Sequence, residues 1–176
     1  MPFFGEKHRK SLGERRVIDD VFIKNWIAGL MQGASTLSQK ERETLFRCCA
    51  ERCARSAPIA LYQQASRKAG ENVPAFFSLL GENEGIRTKQ ILPGKQYEIV
   101  YSACGCDWHS GGYTDSEVLC ECSRQSILYC LEQALPRLRC SVIRKQSLLA
   151  GGDCCRFLVK IEGKNRVCRE GRCLRD

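Results

Sequence analysis

Long apolar runs are missing from this sequence. The densest patch, Phe76-Phe77-Ser78-Leu79-Leu80, is far short of the roughly 20 residues that span a bilayer. A membrane-crossing helix is thereby excluded as a reading of the residues. The first sixteen positions are interrupted by charges throughout and contain no apolar stretch of the secretory kind. A cytoplasmic protein with no membrane partner is expected. Histidine is scarce, with two residues in 176, so any metal site would have to draw on other ligands. No internal repeat, paired zinc-finger spacing or RNA-binding signature is present.

The net charge of +8 invites a nucleic-acid reading, but its distribution argues against one. Residues 1–16 hold five Lys/Arg against two Glu, and residues 156–176 hold seven against three acids, so seven of the eight excess charges lie near the ends. Basic ends are ordinarily solvated surface, and specific nucleic-acid binding is not expected.

Cysteine is the abundant residue, at 13. The count is odd and no export signal accompanies it, which disfavours a disulfide framework and favours metal ligation or redox chemistry in a reducing compartment. Hydrophobic residues make up 43% and charged residues 27% of the chain, close to the globular average. A chain of this length hides roughly 70% of its unfolded surface, enough for one real core.

The first half has helical periodicity. Ile23, Trp26, Ile27, Leu30 and Met31 form one stripe, with Gly33 as a stop. Ser38-Gln39-Lys40-Glu41 has the pattern of a capping box. The helix it opens would carry Leu45, Phe46, Cys49 and Cys53 on one face. Pro58 and Gly70 suit the start and end of another helix, and a short one runs from Pro74 to Leu80. The second half changes period. Ile86–Leu92 and Lys95–Ser102 flank Pro93-Gly94 as a hairpin with a type II turn. Tyr97, Ile99 and Tyr101 share one face of it. Ser123 would cap a helix running to about Leu135, with Ile127, Leu128, Leu131 and Leu135 as its apolar face. Arg139–Leu149 is extended, Gly151-Gly152-Asp153 turns, and Cys155, Phe157, Val159 and Ile161 line a last strand. The expected fold is α+β, with N-terminal helices (residues 1–85) on a mostly antiparallel sheet in the cysteine-rich part (86–163), followed by a basic tail (164–176).

Cys104-Gly105-Cys106 and Cys120-Glu121-Cys122 are two close pairs with 13 residues between them. Two pairs joined by a short loop are the general logic of a tetrahedral thiolate site, suited to zinc or to an iron–sulfur cluster. On a flat strand the Cα atoms of a Cys-x-Cys pair lie about 6.5 Å apart. Gly105 would supply the bend that tightens the first pair. A helix start just after Cys122 would favour thiolates. His109, in the intervening loop, is a further candidate ligand or an exposed loop histidine. The competing reading makes the quartet part of the core, as expected for Cys48, Cys49, Cys53, Cys130 and Cys140. Cys168 and Cys173 read as free thiols in the tail.

The run Gly151-Gly152-Asp153-Cys154-Cys155-Arg156-Phe157 resembles the closing signature of the 4-vinyl reductase or hydrocarbon-binding domain family. In that family a Gly-Asp turn leads to a Cys-x-Phe strand. The likeness covers about residues 95–162. It implies a ligand-binding α/β domain; the family's aromatic sensors hold zinc with a glutamate and three cysteines. Cys155 matches one of those ligands, whereas Arg144 and Ser147 stand near the others. A second resemblance is to the thiazoline carboxylate hydrolases. The whole chain most resembles a cysteine-rich group of proteins from anaerobic bacteria.

The expected function is a metal-binding domain for a small apolar or aromatic ligand, with Tyr97, Ile99 and Tyr101 as pocket candidates and Cys155 as an additional metal ligand. A homodimer through the helical half would let it act as a sensor. The alternatives are a metal-assisted hydrolase using Asp107, His109 or Asp115, and a thiol redox protein.

Overall fold

The computed structural model describes residues 20–164. The basic segment 1–16, the tail after Lys164, and with it Cys168 and Cys173, lie outside the described residues.

Helix α1 runs Asp20–Thr36 and continues through Gly33 instead of stopping there. Nothing lies within 4 Å of where a Cβ would stand on that glycine, so the position costs only the roughly 1 kcal/mol of glycine's poor helix propensity. Helix α2 (Gln39–Ser56) opens on the expected capping box: Ser38 N–H donates to Glu41 Oε2 at 2.8 Å, and Glu41 N–H donates back to Ser38 Oγ. Its buried stripe is Phe46, Ala50 and Ala54, spaced four apart. Cys48, Cys49 and Cys53 are exposed, which corrects their expected core placement. The reason is the 100° rotation per residue, which turns positions next to a narrow stripe outward. Helix α3 (Pro58–Ala69) begins on its proline and ends at Gly70, whose φ of 60° closes the turn. Asn72 caps α4 (Val73–Leu80) by accepting the Ala75 N–H at 3.0 Å.

Strands β1 (Ile86–Leu92) and β2 (Gln96–Tyr101) form the expected hairpin. Lys95 N–H donates to Leu92 O at 3.0 Å and Gly94 has φ 66°, as a type II turn requires. After β2 come a short helix, α5 (Asp107–Ser110), in the segment read as loop, and a 3-10 turn (Glu117–Leu119). This turn feeds directly into α6, which runs Cys120–Ala134 and so starts three residues before the expected cap at Ser123. Strand β3 (Leu138–Gln146) and strand β4 (Cys155–Lys164) close the chain around a left-handed Gly151.

The fold is α+β. The four strands are antiparallel in the order β1-β2-β4-β3. Register pairs Tyr97 with Val159, Ile99 with Phe157 and Tyr101 with Cys155. Because side chains alternate, all six face the same side, where α4 and α6 cover the sheet and α3 packs on both of them. Tyr62, Phe76, Phe77, Leu131 and Val142 complete a continuous core that joins helices and sheet. Phe77 stacks on Tyr97 with ring centres 3.9 Å apart. The other side of the sheet carries the Glu98–Arg156 ion pair at 2.7 Å. Helix α2 lies outside α6, tied to it by the Arg47–Glu132 pair. No helix among the described residues is long and apolar enough to cross a membrane.

Candidate functional site

The register of β2 and β4 sets one end of the core apart. Tyr101 is the last residue of β2 and Cys155 the first of β4, so the sheet ends on this pair and the chain leaves β2 through Ala103, Cys104, Gly105 and Cys106. Helices α3 and α6 pack on each other. Between them lies a cavity of about 590 Å³. Leu61 and Tyr62 wall it from α3, Ile127 and Cys130 from α6, and Tyr101 and Phe157 from the sheet. Ile86, Leu119 and Leu149 add apolar surface.

Seven thiols face this one space: Cys53, Cys104, Cys106, Cys120, Cys122, Cys130 and Cys155. All four members of the expected quartet are therefore drawn to the cavity, together with Cys155. Cys53 and Cys130 join them from helices where they were read as core. Of the adjacent Cys154 and Cys155, only the second lines the cavity.

The quartet does not close into a coordination group. No three His, Cys, Asp or Glu side chains among the described residues are arranged to hold a metal ion. Two local facts explain this. Cys120 and Cys122 lie inside the first turn of α6, not ahead of it, and residues two apart on a helix point away from each other. Gly105 has no positive φ and makes no tight approach, so the expected bend at Cys104-Gly105-Cys106 is not taken. The thiols sort across the pairs instead. Cys122 lies close enough to feel charge on Cys53, Cys49 and Cys106, whereas Cys155 feels Cys120 and Cys104.

The electrostatics are those of a neutral chamber. Burial pushes the Cys122 thiol from 9.0 up to about 12, and neighbouring Cys53, Cys49, Cys106 and Glu121 push the same way. Burial likewise raises Cys130 to about 12 and raises Cys106 and Cys155, and the partial loss of water on the cavity side raises Cys53 although the residue is exposed. The expected lowering at a helix start is outweighed at Cys122, because withdrawing water costs a thiolate more than a helix end returns. Among the described residues no Lys, Arg or His lines the cavity, and the one charged residue that does, Glu84, is exposed at its rim. Cys53, Cys106, Cys122, Cys130 and Cys155 are therefore protonated at neutral pH.

Of the other expected pocket residues, Tyr101 lines the cavity. Ile99 is fully buried in the core and Tyr97 lies under its Phe77 stack. His109 is elsewhere: its Nδ1 lies 2.8 Å from Asp115 Oδ1 on the surface, and neither it nor Asp107 lines the cavity. The sequence reading missed Tyr62. Its signal was the spacing of Tyr62, Ala65 and Ala69 along the Pro58–Gly70 helix, an apolar stripe that had to face something.

No protein-family model matches the chain, and no curated protein matches it. Among solved structures, the chain is similar to trafficking protein particle complex subunit 3 from Naegleria fowleri, solved covalently bound to palmitic acid. The identity is 13%, the TM-score 0.42, and the match covers 84% of this chain and 96% of that one. A likeness this weak says nothing of ligand or partner.

Proposed function

We propose that this protein binds a small, uncharged apolar or aromatic molecule in the thiol-lined cavity. The observation that carries the reading is an apolar space of about 590 Å³ between helices and sheet whose walls, among the described residues, bear no cation. Its volume lies in the range of roughly 300–1,000 Å³ typical of small-molecule sites. A charged ligand would lose its hydration with nothing to replace it, whereas an apolar one gains from leaving water. Protonated sulfurs make a polarisable wall, and sulfur–aromatic contacts are worth about 0.3–1.5 kcal/mol each. The likeness of the Gly151–Phe157 run to hydrocarbon-binding domains agrees in kind.

The test is titration of the reduced protein with 1-N-phenylnaphthylamine, a neutral dye whose emission rises in apolar surroundings. Saturable one-to-one binding, lost in Ser126→Trp with the melting temperature kept within a few degrees, supports the reading. Ser126 lines the cavity from the half-buried side of α6, so the indole fills space without displacing core. Binding that the tryptophan leaves intact places the dye elsewhere and removes the proposal.

A second reading, a zinc or iron–sulfur site, is favoured by the convergence of Cys104, Cys106, Cys120, Cys122 and Cys155 on one cavity. The side chains as arranged do not fit such a group, so they would have to turn before any ion was held. Elemental analysis of protein purified without oxygen, beside Cys120→Ser/Cys122→Ser, decides it: metal at about one per chain, lost in the double variant, supports the site.

A further inference from the structure

The polar equipment of the cavity is concentrated at one point. Tyr62 Oη from α3 and Tyr101 Oη from the end of β2 lie 2.9 Å apart, hydrogen-bonded to each other, and both residues line the cavity. Tyr62 is 2% exposed and Tyr101 half-buried. Two hydroxyls bring two protons, and their mutual bond uses one. Whichever tyrosine donates, the other keeps a proton with no second hydrogen-bond partner among the described residues. An unspent donor in an apolar space costs free energy, and a missing donor partner is rarer in proteins than a spare lone pair. The hydroxyl that accepts is also polarised by its neighbour, which strengthens its own donation.

The surroundings settle what kind of acceptor suits that proton. Cys130 and Cys155 lie near the pair, and burial keeps both their thiols protonated at neutral pH. Among the described residues no cation lines the cavity to balance a carboxylate or phosphate. Burial also holds the phenols in their donating form, with Tyr101 pushed up to about 12 and Tyr62 raised well above its ordinary value. An anion would be stripped of water with one hydrogen bond in return; a neutral oxygen gives up far less.

We infer that the cavity selects an apolar molecule bearing one uncharged acceptor oxygen, such as a ketone, ester or ether, which takes the free proton of the Tyr62–Tyr101 pair. The inference rests on the ligand-binding reading above and narrows its chemistry. The tyrosines are positioned for it by two separate elements, and the rings are held by other contacts: Tyr62 against Phe76 and Tyr101 against Phe157. Removing the two oxygens therefore leaves the packing in place.

The test compares 2-acetylnaphthalene with 2-isopropenylnaphthalene, which differ by C=O against C=CH2 at nearly the same shape. Both are measured by displacement of 1-N-phenylnaphthylamine from the full chain and from Tyr62→Phe/Tyr101→Phe. The preference for the ketone is expected to fall about two- to tenfold in the double variant, the worth of one hydrogen bond. Infrared spectra of the unmodified protein give a readout that needs no variant: the carbonyl stretch of bound 2-acetylnaphthalene is expected below its value in hexane. A preference unchanged by the double variant, with a hexane-like stretch, overturns the inference and leaves apolar binding standing. Failure of both naphthalenes to displace the bound dye overturns this inference, whereas failure of the dye itself to bind overturns the ligand-binding reading and this inference together.

Discussion

Raising the pH from 8 to 10 is expected to loosen this fold well before its lysines lose their charge. Three thiols carry the effect: Cys122 and Cys130, pushed up to about 12, and Cys140, pushed to about 11, each from an ordinary 9.0. Burial is the first cause in every case. A thiol whose folded value is raised contributes stability that is fully present below the unfolded value. That contribution is lost as pH rises from about 9 toward the folded value, because the unfolded chain then sheds a proton that the folded chain keeps. At pH 10 the unfolded thiol is mostly ionised and the folded one is not, which costs about 1.3 kcal/mol per group. Together the three reach about 4 kcal/mol as an upper bound, since solvent screens the half-buried Cys122 and Cys140. At 2–4 °C per kcal/mol for a domain of this size, the melting temperature should fall by up to roughly 8–16 °C. The assay is thermal unfolding under reductant at pH 8, 9 and 10, beside thiolate absorbance at 240 nm in the folded protein and in guanidinium. A melting temperature constant within about 3 °C, or folded thiols that all ionise near 9, would refute the reasoning and with it the uncharged cavity.

Two further outcomes test the frame around the site. Leu131 is fully buried on α6 in the core shared by helices and sheet, so Leu131→Ala should cost about 2–5 kcal/mol in urea unfolding; a cost under 1 kcal/mol would mean that the helix is not packed as described. The glycines of the two cysteine-flanking turns should behave oppositely. A Cβ on Gly152 would stand 2.5 Å from Gln146 Cγ and force that side chain off its bond to Asp153, so Gly152→Ala should lose about 1 kcal/mol or more. At Gly105 a Cβ meets nothing within 4 Å and φ is not positive, so Gly105→Ala should be neutral or stabilise by a few tenths of a kcal/mol. A marked loss at Gly105 would revive the tight Cys-x-Cys bite.

Much of the architecture was legible in the residues. Ser38 and Glu41 announce a helix start because their groups answer each other's free N–H. Pro93-Gly94 announces a hairpin because glycine accepts the φ that the turn demands. The alternation of Tyr97, Ile99 and Tyr101, and of Cys155, Phe157 and Val159, names the buried face of the sheet. Each of these signals is local, its cause and its effect within a few residues.

The site was legible only in part. The sequence brings attention to Cys104, Cys106, Cys120, Cys122 and Cys155, and all five do reach one cavity. Their arrangement is not a local property. Whether Cys120 and Cys122 precede the helix or open it depends on a 3-10 turn three residues long, and that shift changes which thiols are neighbours. Cys53 and Tyr62 come to the cavity from helices whose own patterns say nothing of it.

By itself, then, the sequence determined the α+β class, the order of the elements, the core faces and the identity of the principal thiols, because periodicity and turn chemistry act at short range. Only the tertiary structure decided that seven thiols and two hydrogen-bonded phenols share one largely apolar space. Long-range packing sets which side chains meet and how much water reaches them, and a thiol's charge follows from that exclusion of water and not from its neighbours in sequence.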